Sequence, residues 1–132
     1  MIHGHIYLKN YANWKVSYYM ITKAKDAFVI LSRLHNMGCS PKFMRRAKKL
    51  LCSNYPNIGL AYSNKDRRQS VIVVSETTDV GEFLNSFAHE LDHIEKHIAK
   101  ALGFSPYSEH ASYLVGEIIR SMFYDIFRKE II

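Results

Sequence analysis

Cysteine is scarce in this chain. Cys39 and Cys52 are the two in 132 residues, and neither stands in a Cys-x-x-Cys or Cys/His spacing that would hold a metal. That argues against a disulfide scaffold and a cysteine-based zinc ribbon, and leaves two reduced thiols as the expectation. Long apolar runs are missing too. The longest, residues 27–31 and 71–74, fall far short of the roughly 18 residues that cross a bilayer, so no membrane span is expected. The opening residues carry His3, His5 and Lys9 with no apolar stretch behind them, unlike a secretory leader, and a cytoplasmic location is the resulting expectation. No internal repeat or low-complexity linker interrupts the sequence, so 1–132 reads as a single domain.

What is present suits a packed fold. Apolar residues make up 48% and aromatics 13% of the chain, which excludes disorder. A domain of this size buries about two-thirds of the surface its unfolded form exposes, enough to hold a metal site rigidly. The net charge is +6, and the cations cluster, with Lys42, Arg45, Arg46, Lys48 and Lys49 in one run and Lys65, Arg67 and Arg68 in another. Such runs fit a nucleic-acid footprint, but a solvated helix face and a charged hairpin turn are the stronger explanation.

The periodicity predicts an α+β fold. Residues 5–8 and 15–21 are strand-like, separated by the turn-prone segment 10–13. From Lys23 to Met37 the positions Ala27, Phe28, Leu31, Leu34 and His35 recur at helical spacing, and Gly38 supplies the stop. A second helix is expected from Ser40 as N-cap and Pro41 in its first turn to about Ser53, pairing antiparallel with the first. Residues 58–63 and 70–75, joined by the polar segment 64–69, read as a β-hairpin. Asp79, with Glu82 three residues on, announces a third helix that ends at Gly103. Its positions Phe83, Phe87, Leu91, Ile94 and Ile98 form one buried stripe. A last helix is expected from Ser105-Pro106 to about Lys129.

The third helix carries His89-Glu90-Leu91-Asp92-His93. Residues four apart on a helix share a face, so His89 and His93 can both present a ring nitrogen to one ion about 2.0–2.1 Å away. Glu90 projects roughly 100° round from His89, where a carboxylate beside the ion can accept a proton from water without ligating. A catalytic zinc normally takes three protein ligands and keeps one position open. Glu109, in the first turn of the last helix, is the best candidate third ligand. Glu109 as an ordinary charge near a helix N-terminus is the competing reading, and His110 and His97 are the rival ligands. His3, His5 and His35 have no spacing that ties them to the site.

The residues Ala61-Tyr62-Ser63-Asn64, the run Ser70 to Val74, the His89-to-His93 motif with Ile98-Ala99-Lys100, and Glu109 leading into Tyr113-Leu114-Val115-Gly116-Glu117-Ile118 carry a resemblance over most of the chain. In them the sequence resembles small stand-alone zincin-like proteins, of the gluzincin type, from Bacteroides-type gut bacteria and their phages. The resemblance implies a zincin-like fold, with a small sheet and hairpin packed on an active-site helix and three further helices. It also implies Zn²⁺ bound by His89, His93 and Glu109. Zincin folds lay an extended substrate along a sheet edge, and residues 70–75, just before the active-site helix, are the expected edge.

The function expected is therefore zinc-dependent hydrolysis of a peptide or protein substrate, with Glu90 as general base and Tyr113 or Tyr107 as a further donor to the oxyanion. A shallow cleft makes an adaptor or target protein that presents the substrate an expected partner. Two other readings stand beside it. One is a nucleic-acid-associated zincin of the SprT-like kind, motivated by the basic runs; the other is a non-catalytic zinc-binding regulatory module.

Overall fold

A computed structural model describes residues 1–131. Its elements are β1 (Ile2–Leu8), β2 (Trp14–Thr22), α1 (Ala27–Asn36, entered through a short 3-10 turn), α2 (Pro41–Leu51), β3 (Gly59–Asn64), β4 (Gln69–Ser75), α3 (Val80–Leu102) and α4 (Glu109–Ile131). The fold is α+β, with one mixed four-stranded sheet ordered β1-β2-β4-β3 and four helices.

The two hairpins are antiparallel, whereas β2 and β4 pair in parallel at the centre. A parallel pair needs a crossover, and α1, α2 and β3 supply it. The central strands are apolar on both faces, and each face is covered by helices. On one side Trp14, Val16, Tyr18, Met20, Ile72 and Val74 pack with Phe87, Leu91, Ile94 and Ile98 of α3 and Leu114, Ile118 and Met122 of α4. On the other side Tyr19, Leu60, Val71 and Val73 pack with Ala27, Ile30 and Leu34 of α1 and Ala47 and Leu51 of α2. Full burial of each large side chain contributes about 1.5–3 kcal/mol, so the two cores hold the sheet from both faces.

The structure corrects the expected edge. Residues 70–75 lie in an interior strand paired on both sides, and β3 is the free edge next to them. The physical reason is the unbroken apolar run Val71-Ile72-Val73-Val74, all four buried, which suits a strand sandwiched between two layers rather than one facing solvent. In α1 the buried stripe is Ala27, Ile30 and Leu34, with Phe28 80% exposed. The last helix begins at Glu109 rather than at Ser105. Residues 105–108 form a turn, and Ser108 Oγ accepts from the Ala111 N–H at 3.2 Å as an N-terminal cap.

The segment that carries the histidine motif is delimited at both ends. Asp79 caps α3 by accepting from the Glu82 N–H at 2.8 Å, and Gly103 ends the helix at φ +81°, a left-handed conformation that glycine adopts without a Cβ clash. The basic turn between β3 and β4 is docked rather than loose. Asn64 Nδ2 donates to the Met37 carbonyl and an Arg67 guanidinium N–H to that of Asn36, each at 2.7 Å, at the end of α1.

Candidate metal centre and groove

The motif brings its three polar side chains together. The ligand atoms of His89, Glu90 and His93 all lie within 4.8 Å of one another, and among the described residues this is the one such group that could hold a metal. The two imidazole Nε2 atoms are 3.3 Å apart with rings nearly perpendicular. Two nitrogens each about 2.05 Å from a tetrahedral ion would be about 3.3 Å apart. The spacing of the pair therefore matches that of two ligands on one zinc ion.

Glu90 is treated differently from its neighbours. His89 and His93 are exposed, while Glu90 is only 7% exposed and turns towards β3. It fills the space that a side chain at Gly59 would occupy, since a Cβ there would lie 2.4 Å from Glu90 Oε2. Burial raises the Glu90 pKa, opposed by the positive fields of His89, His93 and Arg46.

The cluster forms one wall of a groove of about 500 Å³ that runs along the free edge of β3 between α2 and α3. Phe43 and Arg46 approach from α2, Lys65 from the β3–β4 turn, and His97 extends the α3 wall one turn beyond His93. The unpaired backbone of β3 faces the same groove. The Ser75 N–H bonds the Ile58 carbonyl and the Glu76 N–H bonds Thr22 on β2. By the alternation of an antiparallel ladder, the N–H and C=O groups of Gly59, Ala61 and Ser63 then point away from β4, to the open edge.

Glu109 does not join the metal-type group. It is exposed at the start of α4, whose first turn is anchored at the opposite edge of the sheet: Tyr11 Oη, in the β1–β2 turn, donates to the His110 carbonyl at 3.2 Å. The His110 ring packs on Phe104 and Tyr11, which also removes it from the site. Tyr107 and Tyr113 are 92% and 67% exposed and neither lines the groove. His97 does line it, though outside the metal-type group. Gly59, Arg46 and Ser63 were not anticipated from sequence. Only Gly59 carried a signal, because a glycine opening a strand marks a close approach by something else.

No family model, curated protein or solved structure matches this chain.

Proposed function

We propose that the chain is a zinc-dependent peptide hydrolase of zincin-like architecture, in which His89 and His93 hold the ion and Glu90 is the general base. The observation that carries this reading is the disposition of Glu90: buried against Gly59, adjacent to two imidazoles whose Nε2 atoms lie 3.3 Å apart, and set at an open strand edge. Zinc bound there would lower the pKa of a water and polarise a substrate carbonyl. Glu90 takes the proton from the attacking water and returns it to the leaving amine. Gly59 holds Glu90 in place by having no side chain. The outward backbone groups of Gly59, Ala61 and Ser63 bind an extended peptide by strand addition, which sets its register against the cluster.

Metal analysis of purified protein, with His89→Ala and Glu90→Gln variants and a broad peptide library, tests the reading. Zinc in the native and Glu90→Gln proteins, its loss in His89→Ala, and cleavage by the native protein alone are the expected results. Equal inertness of zinc-loaded native and Glu90→Gln proteins refutes the hydrolase.

One observation favours a second reading. Lys42, Arg45, Arg46, Lys48 and Lys49 are all exposed on α2, and none is in an ion pair among the described residues. An acidic partner such as nucleic acid, bound beside the groove, would use them. On that reading the substrate is a nucleic-acid-bound protein.

A further inference from the structure

The two walls of the groove receive opposite faces of β3. Gly59 and Ser63 turn to α3, where they meet Glu90 and His97. Leu60 and Tyr62 turn to α2, with the Tyr62 ring 4.9 Å from that of Phe43. A peptide added to the open edge continues the sheet, so its side chains alternate between the same two walls. A residue over the metal-type cluster therefore has neighbours that face α2. The helix runs against the strand direction, since Phe43 lies on Tyr62 while Leu50 shares a cavity with Ile58 and Ser75 at the other end. Arg46, one turn after Phe43, thus stands beside the Gly59 half of β3, and Lys65 closes the far end. Both cations are exposed, and neither is in an ion pair among the described residues. Glu90, the one carboxylate that lines the groove among the described residues, is buried on the opposite wall.

We propose that the groove selects acidic peptides: a strand with Asp or Glu facing Arg46, an apolar side chain two residues along on Phe43 and Tyr62, and a second acid towards Lys65. The spacing suits a strand. Phe43 and Arg46 are about 4.5 Å apart along the helix axis, and alternate residues of a strand are about 6.6 Å apart, a difference that the long arginine side chain spans. Its guanidinium is a planar fork that holds a carboxylate by paired hydrogen bonds. The outward carbonyls of the edge decide between acidic partners. They need N–H donors at every second residue, which a peptide backbone supplies and a sugar-phosphate backbone lacks. Arg46 and Glu90 border the same half of the strand, so a cut would fall beside the acidic residue. That last step rests on the peptide-hydrolase reading, whereas the binding preference does not.

Binding is read by fluorescence anisotropy on the metal-free full chain, with the labelled peptide Thr-Glu-Thr-Val-Thr-Glu-Thr and its counterparts carrying Gln or Lys in place of both Glu. The Glu peptide should bind about tenfold more tightly than the Gln peptide, and the Lys peptide more weakly than either. Arg46→Gln should shrink the Glu-to-Gln ratio about fivefold and Lys65→Gln about twofold, while Arg46→Glu turns the preference towards Lys. Arg45→Gln, which removes a charge from α2 outside the groove, should leave the ratio as it is. Equal binding of the three peptides, no binding of the Glu peptide at millimolar concentration, or an equal loss in Arg45→Gln overturns the proposal. So does a single-stranded oligonucleotide that binds more tightly than the Glu peptide and loses affinity in both Arg46→Gln and Lys65→Gln, which would assign these cations to nucleic acid. The zinc-loaded protein separates the two readings. Selective binding without cleavage of any peptide refutes the hydrolase and keeps the acidic site, whereas cleavage that ignores Glu, Gln and Lys keeps the hydrolase and refutes the selectivity.

Discussion

Gly59→Ala should abolish most activity while leaving the fold and the metal in place. A Cβ at position 59 would lie 2.4, 2.7 and 2.8 Å from Oε2, Cγ and Cδ of Glu90, against the 3.4 Å at which ordinary contact begins. Rotating the carboxylate alone does not relieve this, because Cγ is among the clashing atoms. The whole side chain must retreat by about 1 Å, and a displacement of that size at a reacting group costs about 10²-fold in rate. The backbone at Gly59 is not in the left-handed region, so alanine is tolerated there and removes unfolded-state entropy worth about 0.4–1 kcal/mol. That gain offsets the strain of moving Glu90. The expected result is a kcat/KM about 100-fold below native on a fluorogenic peptide, zinc content unchanged, and a Tm within a few degrees of native. A double-mutant cycle with Glu90→Ala checks the cause, since with Cγ, Cδ and the carboxylate gone the new methyl meets none of the clashing atoms and Gly59→Ala should cost nothing further in that background. Native kcat/KM in Gly59→Ala, with the substitution confirmed, would refute the reasoning that Gly59 positions the base.

Glu90 and Glu95 both have raised pKa values, each chiefly through burial. A carboxyl with a folded pKa above its unfolded value of 4.5 contributes stability below that pH, and the contribution is lost as pH rises through the folded pKa. The lowered His97 pKa acts in the opposite sense over the same range, so the test is a difference between proteins: in urea unfolding of metal-free protein from pH 4.5 upward, native stability should fall relative to that of Glu90→Gln, which ends about 1 kcal/mol the more stable at neutral pH, and a gap that does not change with pH contradicts this. Glu109→Ala is expected to change zinc affinity less than twofold, while His89→Ala lowers it at least about 100-fold, as measured by competition with a chelating dye. Reversing Arg45 and Lys49 to Glu should leave peptide hydrolysis unchanged. If nucleic acid is the α2 partner, that double change weakens duplex binding and flattens its salt dependence by about two counterions in a filter or anisotropy assay.

Much of this arrangement was legible because it is local. His89 and His93 share a helix face by spacing alone, and the Asp79 cap and the Gly103 stop mark that helix by chemistry that acts within one turn. The β3–β4 hairpin was read from two apolar runs flanking a polar segment. What sequence could not rank was the neighbour of each strand. The β2–β4 parallel pairing joins segments more than fifty residues apart, and no local pattern states it. The four-residue run Val71 to Val74 did hold the clue, since continuous rather than alternating apolarity belongs to an interior strand.

The same distinction explains why Glu109 was drawn to the site by proximity in sequence and left out of it by the fold. A turn after Gly103 returns the chain towards α3, but the side of α3 on which it returns is decided by where α4 finds its apolar partners. Leu114, Ile118 and Met122 pack over Ile6, Leu8 and Tyr18 on the β1–β2 side of the sheet, and Phe104, His110 and Tyr11 close that corner. Burying those side chains contributes several kcal/mol, whereas an exposed glutamate near a helix N-terminus gains about 0.3–1 kcal/mol where it stands. Packing therefore sets the position of α4, and the groove draws its polar groups from β3 and α2 instead: Arg46 beside Glu90, the bare edge at Gly59, and the Ser63 hydroxyl on His97. The working surface of the cluster faces the strand edge, and substitutions along residues 59–63 should disturb function more than substitutions anywhere on α4.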